Sequence, residues 1–243
     1  MPLDQCEAIV LRSFDVGDQD KVVIFFSRDK GLLRGIAKGA RKLGNRFGSS
    51  LEPMSLIKLY YYEKERTELL TLSQSDLLES FFELHRDFRT SSTLSYFAEL
   101  IEGFFPSRAR EDLVFRLLLS TLRAIKRGGE LKILTRYFEA WFLQINGLLP
   151  DFRRCQKCRR KVEGEAWLSH KMDGVRCSAC ASEKKCLVLP IVPAFIDWAK
   201  KNSPPLEDVE FFGSDQLDAI AKTLQRVIIF HLEKEPKSLH FLK

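Results

Sequence analysis

Cys155-Gln156-Lys157-Cys158 and, 18 residues further on, Cys177-Ser178-Ala179-Cys180 form the stretch on which the reading of this chain turns. Two Cys-x-x-Cys pairs at this separation fit a structural zinc site. Each pair offers two thiolates from one tight loop, and four thiolates complete a tetrahedron with no position left for water. Short strands are expected over residues 165–169 and 175–177, on either side of the turn signal Asp173-Gly174. The alternative, two redox or disulfide pairs, lacks a thioredoxin-type βαβ neighbourhood. One structural Zn2+ held by Cys155, Cys158, Cys177 and Cys180 is therefore expected. Cys6 and Cys186 read as buried thiols, with Cys186 the substitute ligand if one of the four is lost.

Around this module the sequence separates into two regimes. Upstream, residues 7–14, 21–27, 32–38, 54–62 and 69–75 read as five short strands, the last two joined by the charged turn Glu63-Lys64-Glu65-Arg66. Five strands with short turns suggest a small closed barrel of the OB type. Between the third and fourth strands, residues 39–48 carry three glycines and three basic residues and read as a mobile loop with cationic tips. From about Leu77 the apolar period becomes helical. Leu94, Phe97, Ala98, Leu100, Ile101 and Phe104 line one helix, stopped at Pro106. Leu113, Leu117, Leu118 and Leu122 line a second. Leu131, Leu134, Phe138, Trp141, Phe142 and Ile145 line a third, before Gly147 and Pro150. These helices are expected to form a bundle core. A short helix over 193–202 follows the zinc module, and Ser214 is read as the cap of the last helix. The fold class is α+β. An OB-fold barrel occupies residues 1–80, and a helical domain occupies 81–243 with the zinc module inserted at about 152–186.

The chain has 243 residues, 45% hydrophobic and 30% charged, and so is globular in composition. No apolar run reaches the length of a membrane span and the first residues are not a signal peptide, so a cytoplasmic protein with no membrane partner is expected. Net charge is +6, and it is unevenly spread. Residues 21–50 hold eight basic residues and one acid, and residues 153–186 hold ten basic residues and four acids. Two dense basic patches favour a polyanionic partner, nucleic acid first. On the barrel the candidates are Arg34, Lys38, Arg41, Lys42 and Arg46. On the zinc module they are Arg153, Arg154, Lys157, Arg159, Arg160 and Lys161. Tyr60-Tyr61-Tyr62 offers stacking faces, but alternation along a strand puts the outer two rings in the barrel and the middle one outside.

No catalytic constellation is visible. Phosphate-binding glycine loops, the H-E-x-x-H motif and the G-x-S-x-G motif are all missing. His85, His170, His231 and His240 are scattered, and His231 reads as a packing residue. Asp15, Asp18 and Asp20 sit in a polar turn with Gly17, where a solvated turn outweighs a nuclease metal site. A non-enzymatic protein is expected. Two rivals remain, an RNA-binding OB protein and a metal-dependent nuclease.

Several blocks resemble one family. Val10-Leu11-Arg12, Asp18-Gln19-Asp20-Lys21-Val22-Val23, Ala37-Lys38-Gly39-Ala40-Arg41-Lys42, Arg46-Phe47-Gly48 and Leu51-Glu52-Pro53 resemble the N-terminal OB-fold of the bacterial recombination mediator family RecO. Phe138-Glu139, Leu143, Gly147-Leu148-Leu149-Pro150 and Cys155-x-x-Cys158 resemble that family's helical domain entering its zinc module. The resemblance implies binding of single- and double-stranded DNA and annealing of complementary strands. It also implies work with RecR in loading RecA onto DNA coated by single-strand-binding protein, whose acidic tail the helical domain contacts. Such a protein would associate with the nucleoid during repair. Lys38, Arg41, Lys42 and Arg46 would be DNA-contacting, and the four cysteines would be the zinc ligands.

Overall fold

The computed structural model describes residues 3–63, 69–205 and 212–242. Lys64, Glu65 and Arg66 of the expected charged turn lie outside the described residues. Five strands, β1 (Leu3–Val16), β2 (Asp20–Ser27), β3 (Gly31–Ala37), β4 (Leu56–Tyr62) and β5 (Leu69–Glu79), close into a barrel of order β1-β2-β3-β5-β4. All neighbours are antiparallel except β3 and β5. This is the five-stranded OB barrel expected from the strand count. Alternate residues fill it: Ala8, Val10, Val23, Phe25, Leu33, Ile57, Leu59, Leu70 and Leu72 form one buried cluster. β5 continues to Glu79, so the switch to helical period at Leu77 comes too early. Leu77 and Leu78 are exposed apolar residues on an extended strand, which a periodicity count assigns to the following helix.

The chain divides into two compact units, Met1–Leu119 with Pro236–Lys243, and Ser120–Glu235. In the first, part of the barrel's outer face is also apolar and is covered. Phe26 meets Phe105 and Phe115, with ring centroids 5.9 and 6.5 Å apart. Helix α1 (Phe88–Phe104) is capped by Asp87, whose carboxylate accepts from the Thr90 backbone at 2.7 Å. From α1, Glu99 and Glu102 bind Arg12 of β1 at 3.4 and 2.5 Å. Gly31 opens β3 at φ +71°, and a Cβ there would lie 2.0 Å from the Ala109 carbonyl oxygen. Only glycine permits both that conformation and that approach. Helix α1 thus packs on the barrel instead of joining a separate bundle.

Helix α2 (Asp112–Lys126) runs across the division at Leu119. The second unit holds α3 (Leu131–Ile145), a small sheet, α4 (Ile191–Lys201) and α5 (Ser214–Leu232). Trp141 of α3 donates its indole N–H to the Ala199 carbonyl of α4 at 3.1 Å. Arg136 and Glu139 form a buried ion pair at 3.0 Å within α3. The last helix is not capped by Ser214. Its N-cap is Gly213, whose N–H donates to the Gln216 side chain at 3.1 Å, and Ser214 Oγ instead accepts from Lys132 Nζ at 2.7 Å. The sheet comprises β6 (Asp151–Cys155), β7 (Ala166–Leu168), β8 (Gly174–Cys177) and β9 (Leu187–Val188) in the order β6-β8-β7-β9. No helix among the described residues is long and apolar enough to cross a membrane.

Candidate metal centre and nucleic-acid interface

The four paired cysteines converge. The sulfurs of Cys155, Cys158, Cys177 and Cys180 all lie within 4.8 Å of one another, and Cys158 Sγ is 3.8 Å from Cys177 Sγ. A tetrahedron of thiolates at about 2.3 Å from a central ion has edges of about 3.8 Å, so the Cys158–Cys177 pair stands at the separation that one bound ion sets and the whole cluster is compact enough to close on it. Local backbone bonds build it. β6 ends at Cys155, whose N–H donates to the Arg160 carbonyl at 2.9 Å, while Arg159 N–H returns to the Cys155 carbonyl at 2.8 Å. On the other side, β8 ends at Cys177, and both Cys180 N–H and Ala181 N–H reach its carbonyl at 2.9 Å. Gln156 N–H donates to the Val175 carbonyl at 2.8 Å, tying one knuckle to the other strand.

The thiols also share protons unequally. Burial raises the Cys155 thiol, but N–H groups of Cys158, Cys177 and Lys157 outweigh it and hold the group down at about 6. Cys180, facing the sulfurs of Cys158 and Cys177, is pushed up to about 12. Four thiolates this close repel, and a divalent cation is what lets all four ionise together. The cluster can hold a metal ion, and its all-sulfur donor set suits zinc. Cys186 is outside this group of ligand atoms and offers its carbonyl to Leu168 N–H at 2.9 Å. Cys6 is buried in the barrel, where burial raises its thiol to about 11.

The five barrel candidates are all exposed: Arg34 on β3, then Lys38, Arg41, Lys42 and Arg46 on the segment that follows. That segment is not the open loop its glycines suggest. It is a run of consecutive turns, and Ala40, Phe47 and Leu51 belong to the barrel's buried cluster. Apolar residues every few positions pin it down while the basic side chains between them stay in water. The acidic turn between β1 and β2 serves as its clamp. Asp20 accepts the Gly39 N–H at 2.8 Å, Gln19 accepts the Arg41 N–H at 3.0 Å, and Asp15 pairs with the Arg41 guanidinium at 3.3 Å. Arg46 stacks over Phe47 at 5.1 Å from the ring centre. Among the described residues, no acid pairs with Arg34, Lys38, Lys42 or Arg46.

The tyrosine run alternates, but in the opposite phase to the expected one. Tyr61, the middle ring, is buried and donates its hydroxyl to Asp4 at 3.1 Å, while Tyr60 and Tyr62 are half-buried. Burial raises the Tyr61 hydroxyl well above its ordinary pKa. Any base stacking on β4 therefore falls to Tyr60 and Tyr62, and Lys58 already lies 5.4 Å above the Tyr60 ring.

On the four-cysteine module Arg153, Arg154, Lys157, Arg159, Arg160 and Lys161 are likewise exposed. Arg153 is engaged by Asp197, and Lys161 by Glu163 at 3.5 Å. No acid among the described residues forms an ion pair with Arg154, Lys157, Arg159 or Arg160. The structure adds residues that the sequence reading passed over. His170, Lys171 and Arg176 line a hollow with Lys157 and Arg159. They are distant in sequence from residues 153–161, and only the pairing of the knuckle with β8 brings them together.

The profile described as recombination protein O N terminal matches residues 1–81, and that described as recombination protein O C terminal matches residues 85–240. A DNA repair protein RecO from Koribacter versatilis is 36% identical over 183 residues, covering 75% of this chain and 73% of that protein. DNA repair protein RecO from Desulforudis audaxviator is 30% identical over 247 residues, covering 98% of this chain and 96% of that protein. That from Pelotomaculum thermopropionicum is 29% identical over 250 residues, covering 100% of this chain and 94% of that protein.

Proposed function

Because the chain belongs to the recombination protein O family of DNA repair proteins, we propose that it is a non-enzymatic mediator that binds single- and double-stranded DNA and anneals complementary strands. In this reading it acts with RecR to load RecA onto DNA coated by single-strand-binding protein, touching the acidic tail of that protein. It does so in the bacterial cytoplasm, at the nucleoid during repair. The functional division runs near residue 80, with the barrel of residues 1–80 gripping DNA and the helical domain of residues 81–243 carrying one zinc ion in the module at 152–186.

The observation that carries the proposal is the anchored cationic segment after β3. Lys38, Lys42 and Arg46 are exposed and unopposed, yet the turns that present them are pinned by Ala40, Phe47 and Leu51. Charges held on a fixed surface meet phosphates without a large ordering cost. Arg34 and Arg41 extend the same surface. On the zinc module Arg153, Arg154, Lys157, Arg159, Arg160 and Lys161 would screen a second strand. Lowering the mutual repulsion of two phosphate backbones lets complementary bases pair. Zinc, when bound to Cys155, Cys158, Cys177 and Cys180, supplies folding energy to the module that carries those cations.

The decisive experiment is strand annealing without ATP, on bare strands and on strands coated with the cognate single-strand-binding protein. Acceleration on both is expected. Acceleration on bare strands alone would leave only a generic basic protein, and preferential binding of RNA in competition with a matched DNA strand would favour an RNA-binding role.

A further inference from the structure

The hollow on the zinc module has a composition of its own. It measures about 580 Å³ and is lined by Gln156, Lys157, Arg159, Ser169, His170, Lys171, Asp173 and Arg176. Every lining side chain is polar or charged, and four permanent cations face one carboxylate. Pockets for small metabolites are mostly apolar with a few placed polar groups. This one differs in its head groups, which are mostly cationic, while its apolar surface is the carbon stems of the same long side chains, and so it suits an anion.

Its walls are fixed by the metal knuckle and by the turn before β8. Lys157 lies inside the Cys155-x-x-Cys158 loop and Arg159 directly follows it, at φ +61°. Arg176 directly precedes Cys177. Opposite them, Ser169 N–H donates to the Gly174 carbonyl at 2.9 Å, and Ser169 Oγ donates to Asp173 at 2.6 Å. A Cβ on Gly174 would lie 2.7 Å from the Gln156 amide nitrogen, so the two walls touch at their base. Asp173 accepts that Ser169 bond and stays ionised, so it offsets one positive charge and the four cations keep a net excess. Among the described residues the buried Arg176 Nε has no hydrogen-bond partner, and its Nη1 reaches Ser182 Oγ at 3.5 Å. A buried guanidinium N–H without an acceptor is costly, and an anion with several oxygens supplies acceptors.

We propose that this hollow is a metal-organised cradle for phosphates of one DNA strand, with Lys157, Arg159, Lys171 and Arg176 as its contacts. It rests on the DNA-binding reading above and adds His170, Lys171 and Arg176 to the interface. A nucleic-acid strand is favoured over an acidic peptide because Lys157 and Arg159 join the hollow to the exposed basic run of residues 153–161, a length of like charge that matches a phosphate backbone. Lys157, Arg159 and Arg176 are carried on and beside the two knuckles, so the cradle is complete only while the four thiolates are held together.

The test uses the full chain and a fluorescent oligo-dT, with affinity followed against salt. The double variant Lys157→Glu/Lys171→Glu loses two phosphate contacts, and its log–log salt slope should fall by about 1.4, at roughly 0.7 per single-strand contact. Lys171→Ala, on the turn and away from the cysteines, should lower it by about 0.7 with metal content unchanged, which guards against a misfolded double variant. Lys200→Glu on α4, exposed and outside the hollow, is the control and should leave the slope unchanged. A wild-type slope in both hollow variants, while a barrel variant such as Lys42→Glu lowers it, overturns the cradle alone. Failure of the wild-type chain to bind DNA overturns the DNA reading with it. Loss of the Lys171-dependent part to inorganic phosphate at matched ionic strength would make the hollow a free-anion site. Lys171-dependent capture of an oligoglutamate peptide without any effect on DNA would make it a peptide site. Either result refutes the proposal.

Discussion

Reversing the charge of Lys42 isolates the anchored segment's contribution to DNA binding. Lys42 is exposed on a turn, and no acid among the described residues pairs with it. Lys42→Glu should therefore change stability by less than about 0.5 kcal/mol. One charged contact to phosphate is worth about 1.5 kcal/mol, so affinity for oligo-dT should fall roughly tenfold at 50 mM salt. With one contact gone the salt slope falls by about 0.7, and the gap should narrow to roughly fourfold at 200 mM. Arg41→Glu is the informative contrast. Arg41 is already held by Asp15 at 3.3 Å and by the Gly17 carbonyl at 2.9 Å. Its reversal should cost up to about 1 kcal/mol of stability, because a new carboxylate then faces Asp15. Fluorescence anisotropy titrations at four salt concentrations, with urea melts in parallel, read both quantities. A Lys42→Glu protein with wild-type affinity and slope would refute the assignment of this segment to DNA.

Cys177→Ser should release the metal, from about one ion per chain to none, and loosen the β6–β9 module. Elemental analysis checks this, and retention of metal through Cys186 would contradict the placement of Cys186 outside the ligand cluster. Gly31→Ala should destabilise the first unit by roughly 3 kcal/mol, since the new methyl meets the Ala109 carbonyl oxygen at 2.0 Å and φ stays at +71°. A urea midpoint equal to wild type would sink that expectation. Arg159→Gly should raise thermal stability by about 1 kcal/mol, because φ +61° suits glycine, while weakening DNA binding through loss of a cation. Asp87 sits below the ordinary carboxylate range, chiefly because the Thr90 N–H binds its anion. Its stabilisation of α1 is therefore present above pH 3.8 and is lost as pH falls through the lowered value, so Asp87→Ala should differ from wild type at neutral pH and converge with it in acid.

Much of this protein is local and was legible without coordinates. The five strands follow from alternation over short segments bounded by Gly17, Gly31 and the polar turns, and β1, β2 and β3 begin and end within a few residues of the expected limits. The cysteine cluster follows from spacing, because two Cys-x-x-Cys turns each present a pair of sulfurs whatever the rest of the chain does. Exposure of the basic candidates follows from the cost of burying charge. What was misread depends on neighbours that are distant in sequence. Leu77 and Leu78 carry apolar side chains that fit a helix as readily as a strand, and pairing with β4 decides for the strand. The phase of Tyr60-Tyr61-Tyr62 is set by the register of β4 on β1 and β5, where slipping by one residue exchanges the inner and outer faces. Residues 39–48 look mobile by composition, yet Ala40 and Phe47 find a place in the barrel core that no local pattern reveals. The hollow that gathers Lys157, Arg159, Lys171 and Arg176 is the furthest from the sequence. It arises from a parallel pairing of β6 with β8, and the energy that selects such a pairing lies in contacts across the module and not within any one segment.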